Sequence, residues 1–321
     1  MSADRQILRG FSFAFLFLLV AKVIGALKEM VVAHAYGTGS AVDAYALGFA
    51  LVQTPITLTA MVGNMVLIPL FVAQRHGALP GRQAGLGGGV LIGAAILSFG
   101  TALGVYGMMR FGGAAMGLDQ AAAAALRTQA AGLALTVPTG IGTTLLAARL
   151  MAAKRQINSL FEAVPSLAVI LGLVLFEGRI AADPLLAWTT CLGMTGYLGA
   201  LFLADRGARA RGQDGGGGPV ALRERAGEIG IIFAAQTVYV LGGMALDQLA
   251  AAQLPEGQNA VLAYANRLLM LGASLGATAV GRAVLPVLAE ARLAGQDQRL
   301  TARWAGFLFL GGLAAWAIGH T

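Results

Sequence analysis

The chain has 321 residues, of which 57% are hydrophobic and only 12% are Asp, Glu, Lys or Arg, and glycine contributes a further 46 residues. So little charge cannot cover the surface of a water-soluble globule, and the apolar content is far too high for disorder. An all-helical polytopic membrane protein is the class that remains, and there a net charge of +7 points to loops at one membrane face, not to a nucleic-acid partner.

Crossing a hydrocarbon core takes about 20 apolar residues. In chain order, nine runs read as spans: 11–33, 44–72, 86–109, 128–148, 158–176, 184–204, 228–252, 260–289 and 304–319. The third carries no charge from Leu86 to Met109, and the ninth is short. A cleavable leader ending at Ala33-His34-Ala35 is the rival for the first run, but Lys22, Lys28 and Glu29 interrupt it, so an uncleaved helix is expected. Taken with the N-terminus inside, the alternate loops hold fifteen basic residues and the opposite loops only Arg110, Arg127 and Arg179. The positive-inside rule therefore predicts a multi-pass membrane protein with a cytoplasmic N-terminus.

The expected organisation is a six-helix lobe over 1–204, a cytoplasmic linker over 205–227 and an incomplete three-helix lobe over 228–321. Gly215–Gly218 followed by Pro219 reads as a flexible connection, since no strand precedes it and no Lys-Ser/Thr follows as a phosphate loop requires. The single cysteine, Cys191, excludes an intrachain disulfide and reads as a small buried hydrophobe. His34, His76 and His320 fit no metal-ligand spacing, and no cofactor is expected.

The second and eighth spans resemble each other. Val62-Gly63-Asn64-Met65-Val66-Leu67-Ile68-Pro69, with Arg75 six residues on, parallels Val280-Gly281-Arg282-Ala283-Val284-Leu285-Pro286, with Arg292 six residues on. Upstream, Ala44-Tyr45-Ala46 matches Ala263-Tyr264-Ala265, an offset of about 218 residues with single-residue gaps. Both copies run outside to inside, as in halves related by an axis along the membrane normal. Six helices in the first half and three in the second predict that a C-terminal segment or a partner completes the second lobe, for a whole of about 440 residues.

Four basic residues fall within spans. Lys22 is at the midpoint of the first, where an insertion cost of about 2.5–3.5 kcal/mol calls for a wet cavity or a partner. Glu29 follows seven residues on along the same face, and both Lys28 and Glu29 are near enough to the outer end to snorkel. Arg267 is a quarter of the way along the eighth span; Arg282, three-quarters along, reads as a charge snorkelling inward. A cationic cavity of Lys22, Lys28 and Arg267 suits a phosphate or diphosphate, against the alternative that Lys22 pairs within the bundle as structure. Asp43 reads as a first-turn acid of the second span, and Asp247 as a cation ligand or an interface residue. Asn64 and Glu162 are further polar cavity candidates. Pro55, Pro69, Pro138, Pro165 and Pro286 lie in spans, where they break backbone hydrogen bonds and either permit bending or fix static kinks.

Lys22-Val23-Ile24-Gly25-Ala26-Leu27-Lys28-Glu29 and the stretch Tyr36-Gly37-Thr38-Gly39-Ser40 through Asp43 to Tyr45 resemble the first-helix signature of the MurJ (MviN) lipid II flippases. These belong to the multidrug/oligosaccharidyl-lipid/polysaccharide exporter (MOP) superfamily. Leu145 to Arg155 is similar to the family's segment between helices four and five, and Asp247 to Gly257, Leu262 to Leu268 and Val284 to Pro286 to its helices seven and eight. The resemblance implies a V-shaped, two-lobed helical flippase that carries a polyprenyl-diphosphate-linked sugar across the membrane by alternating access. It implies a place in the bacterial cytoplasmic (inner) membrane, no enzymatic step, and coupling to the membrane potential or a monovalent cation. By position it makes Lys22, Lys28, Arg267 and Asp43 substrate-binding residues and Asp247 a cation-site acid. Lysines replace both first-helix arginines, and Thr54-Pro55-Ile56-Thr57 stands where the family has a second-helix arginine pair. Other readings are a flippase for an exopolysaccharide or O-antigen precursor, a cationic-drug antiporter, a membrane-embedded transferase, and a structural subunit or nonfunctional fragment. The cationic cavity argues against the antiporter, and the lack of clustered carboxylates or histidines against the transferase.

Overall fold

The computed structural model describes residues 3–36, 40–76, 88–113, 116, 120–176, 178–210, 227, 229–239, 278–295, 302, 304 and 306. Every regular element among them is helical: α1 (Ala3–Tyr36), α2 (Ser40–Arg75), α3 (Gly88–Phe111), α4 (Gln120–Ala134), α5 (Thr136–Ala152), α6 (Ile157–Phe161), α7 (Val164–Phe176) and α8 (Ala182–Ala210). A short apolar helix, α9 (Ile229–Tyr239), and a helix over 278–293, α10, follow. Six stretches are long and apolar enough to cross a bilayer, α4 with α5 and α6 with α7 each making one. They match the first six expected spans, because a chain in hydrocarbon has to satisfy its backbone within the segment.

Span four breaks between α4 and α5 at Leu135, three residues before Pro138. The proline ring removes the donor that Ala134 would otherwise receive, and the hydroxyls of Thr136 and Thr139 donate to the Leu133 and Thr136 carbonyls around the break. The fifth span breaks at Glu162–Ala163, where Pro165 lacks the N–H that would donate to the Phe161 carbonyl in a continuous helix. In α2, Pro55 and Pro69 are carried within one helix of 36 residues.

The bundle centres on α2, α4, α5 and α8, whose buried Val52, Leu126, Leu133, Val137 and Leu186 form one cluster with Leu173 of α7. In an 18-residue apolar stretch of Gln120–Ala152, 61% of the residues are buried, against 17% in that of α1 and 11% in that of α3. The outer helices accordingly turn Leu16, Leu27, Ile96, Leu97 and Leu103 outward, since their solvent is lipid. Where helices cross, glycines allow backbones to meet. A Cβ on Gly193 of α8 would stand 2.6 Å from Pro165 Cα of α7, and one on Gly132 of α4 would stand 3.0 Å from the Ala187 backbone of α8.

The repeat mates α2 and α10 lie against each other. Leu285 and Ala289 of α10 pack on a cluster of Leu67, Ile68, Phe71 and Val72 from α2 with Ala148, Met151 and Ala152 from α5. α10 also covers the first half of α1, where Ala279 packs with Ala14 and Leu18, and Phe11 joins Ala283, Val284 and Val287.

α8 continues to Ala210 and so takes in Asp205 and Arg206, which the sequence puts at the start of the linker. Asp205 is buried there because Arg149 of α5 reaches it, Nε to Oδ1 at 3.5 Å, with the guanidinium also over the Phe71 ring. Most of the seventh to ninth expected spans lies outside the described residues.

Candidate functional site

On α1 the buried residues Ala14, Leu18, Ala21, Lys28 and Val32 follow alternating steps of three and four once Gly25 is included, so they share one face of the helix. Lys28 belongs to that inward stripe. Its Nζ is 2.8 Å from Glu29 Oε1 and 5.9 Å and 5.5 Å from the ring centroids of Tyr45 and Phe49 on α2. The rings present their negative faces to the ammonium, and Tyr45 is held by a 2.8 Å hydrogen bond between its hydroxyl and that of Thr190 on α8. Three helices thus position one cation. The snorkelling expected for Lys28 does not occur: the side chain is 11% exposed, because the stripe directs it between α1 and α2.

Lys22 and Glu29 are off the stripe, and both are exposed. Lys22 and Lys28 therefore point to different surroundings; no ion pair of Lys22 is formed among the described residues. Asp43 is in the first turn of α2, as expected, and its side chain lies outside the described residues. Asn64 is half-buried in α2. Arg267 and Asp247 lie outside the described residues.

Glu162 gathers chemistry of a different kind at the opposite end of the bundle. Arg282 of α10 donates from Nη2 to Glu162 Oε1 and, at 2.6 Å from Nη1, to Ser159 Oγ of α6. Gln156 Nε2 donates to the Arg282 carbonyl at 3.3 Å. Arg282 does not snorkel, because partners 120 residues away in sequence leave its side chain only 15% exposed. Two turns further along α10, Glu290 accepts from Lys154 and stands 3.4 Å from His76 Nε2. None of these pairs has a local sequence signal. The buried stripe on α1 does have one, in the 3–4 spacing of its small residues.

An apolar groove of about 450 Å³ between α3, α5 and α8 is lined by Leu91, Phe99, Pro138, Cys191 and Leu198. Its Ser98, Thr139 and Thr195 hydroxyls donate to carbonyls of their own helices, so it offers hydrocarbon only and is separate from both charged regions.

These features define a helical membrane bundle with a buried cation between its first two spans. Its backbone is similar to a solved MOP superfamily transporter from Pyrococcus furiosus Vc1 (DSM3638), at a TM-score of 0.60 and 15% identity over 88% of this chain. That transporter is described as having a binding pocket of reverse polarity that suggests a different function. The present chain spans 64% of its length. No family model matches the sequence, and no curated protein matches it.

Proposed function

We propose that this chain is a transporter of the flippase kind, moving an anionic lipid-linked sugar across a membrane without chemical change. The observation that carries this reading is Lys28, an ammonium kept inside a membrane bundle by two aromatic faces and by Glu29, whose own side chain is 61% exposed. A fixed intramembrane cation beside a carboxylate that can swing away is suited to receive a phosphate or diphosphate. The similarity to a MOP superfamily transporter supports the fold that such a role requires. The first-helix signature favours a lipid II-like polyprenyl-diphosphate sugar, with an exopolysaccharide or O-antigen precursor as the second cargo. Asp43 and Arg267 complete the anion-binding site in this reading, Asp247 holds a coupling cation, and Lys22, which is exposed away from the buried stripe, lies apart from Lys28. The N-terminus is cytoplasmic in this reading.

The test is reconstitution in vesicles with fluorescent lipid-linked sugars of both types, scoring translocation by loss of protection from an external quencher. Translocation of one or both cargoes is expected, reduced at least about tenfold by Lys28→Met at equal inserted protein, as loss of a charge-assisted contact implies. Unchanged translocation by Lys28→Met, or none by the parent chain, overturns the reading.

A further inference from the structure

Two charged groups on α10, Arg282 and Glu290, each join it to a segment of the first six spans. Arg282 meets Ser159 and Glu162 beside α6; Glu290 meets Lys154 in the α5–α6 turn and His76 just past α2. Between them Leu285 and Ala289 of α10 pack on the apolar α2–α5 cluster, and Ala283 faces α1. A Cβ on Gly10 of α1 would be 3.5 Å from Ala283 Cβ and 3.8 Å from Gln156 Nε2. This end of the bundle is the one where the sequence collects its basic loops.

The backbone adds a second sign. Lys154 has φ 56°, the left-handed conformation that glycine adopts freely and other residues seldom do. Its N–H donates to the Met151 carbonyl at 2.7 Å, and that of Arg155 to the Leu150 carbonyl at 2.9 Å, the paired bonds of a helix terminator whose usual occupant is glycine. A lysine there is conformationally disfavoured, yet only a side chain can reach Glu290. Strain of this sort collects where a segment switches.

A third sign opposes closure. Asn158 is fully buried, and among the described residues neither polar atom of its amide meets a hydrogen-bond partner; the Gln156 Oε1 is likewise unmatched there. Asn158 adjoins Ser159, the partner of Arg282, so the joined arrangement holds polar groups desolvated that wetting of this end would satisfy. The ion pairs are themselves only partly buried, with 24–30% of the Lys154 and Glu290 side chains exposed, so each contributes modestly and separates readily.

We infer that Lys154, Glu290, His76, Glu162 and Arg282 form a reversible latch closing one end of the fold, with Asn158 opposing it. Closure joins α10 to the α5–α6 segment and α2; opening hydrates Asn158 and frees both carboxylates. The device acts through α10 whatever the cargo is.

Gly10→Cys with Ala283→Cys, in a Cys191→Ala background, places two thiols at disulfide range across the seam. Their oxidation rate in membranes reports the closed fraction of inserted protein. Lys154→Gly keeps the turn and removes the charge, while Glu290→Gln keeps the side-chain volume; each is expected to slow cross-linking at least about threefold. Asn158→Leu is expected to speed it or hold the seam shut longer. Rates unchanged by Lys154→Gly and Glu290→Gln, or slowed by Asn158→Leu, overturn the latch. Because the readout needs no substrate, loss of sugar translocation with an intact cross-linking response counts against the proposed function alone.

Discussion

The α7–α8 contact and the seam under α10 both join helices, but by opposite means. At α7–α8, Gly193 lets the α8 backbone approach Pro165 so closely that no side chain fits between. At the seam, arginine, lysine and glutamate reach across with long side chains beside an apolar contact made by side chains such as Leu285 and Ala289, and a Cβ on Gly10 would come no nearer than 3.5 Å to Ala283. Dispersion across a close backbone contact is lost steeply with separation, whereas an ion pair at a half-wet edge can be exchanged for water at little cost. The first arrangement suits a rigid lobe and the second a joint that opens. A parallel difference separates two guanidiniums. Arg149 is bound to Asp205, itself 5% exposed, inside the bundle, and Arg282 is bound to Glu162, 29% exposed, at the seam.

That contrast predicts graded effects on unfolding in detergent. The largest is Asp205→Leu, which leaves Arg149 charged and buried with its carboxylate gone; a loss of about 3–5 kcal/mol is expected, and a double variant with Arg149→Leu should recover most of it. A single variant as stable as the parent would place this pair with the seam. Next is Gly193→Val, expected to cost about 1–3 kcal/mol or more through overpacking against Pro165, while Gly199→Val on the same helix, with nothing within 4 Å, should stay within about 0.5 kcal/mol. Equal melting temperatures for the two would break the argument for backbone contact. The smallest is Glu290→Gln, expected to change unfolding by only about 0–1 kcal/mol although it loosens the seam. A loss as large as that of Asp205→Leu would make α10 part of the rigid core.

Much of the lobe was legible in the sequence, and the seam was not. The first six spans follow from hydropathy, which each segment expresses by itself in a bilayer, and the structure extends them at the ends by only a few residues in most cases. Pro138 and Pro165 announced bends, and the helices break close before each. Lys28 and Arg282 are held inside the bundle and do not snorkel. Snorkelling rests on depth alone, and depth does not say which neighbour a side chain faces. For Lys28 the 3–4 stripe from Ala14 to Val32 carried the missing information; for Arg282 no nearby residue did.

Composition and loop charge determined by themselves that this is a helical membrane protein, because the cost of burying charge in hydrocarbon is paid segment by segment. The repeat between α2 and α10 was visible as a pattern, but only the tertiary structure placed Leu285 and Ala289 on the Leu67–Val72 face of its mate. It likewise decided that Glu162 meets Arg282 and that Lys154 meets Glu290, across 120 and 136 positions. Electrostatic partners are set by distance in space, and distances over such separations exist only once the helices have packed.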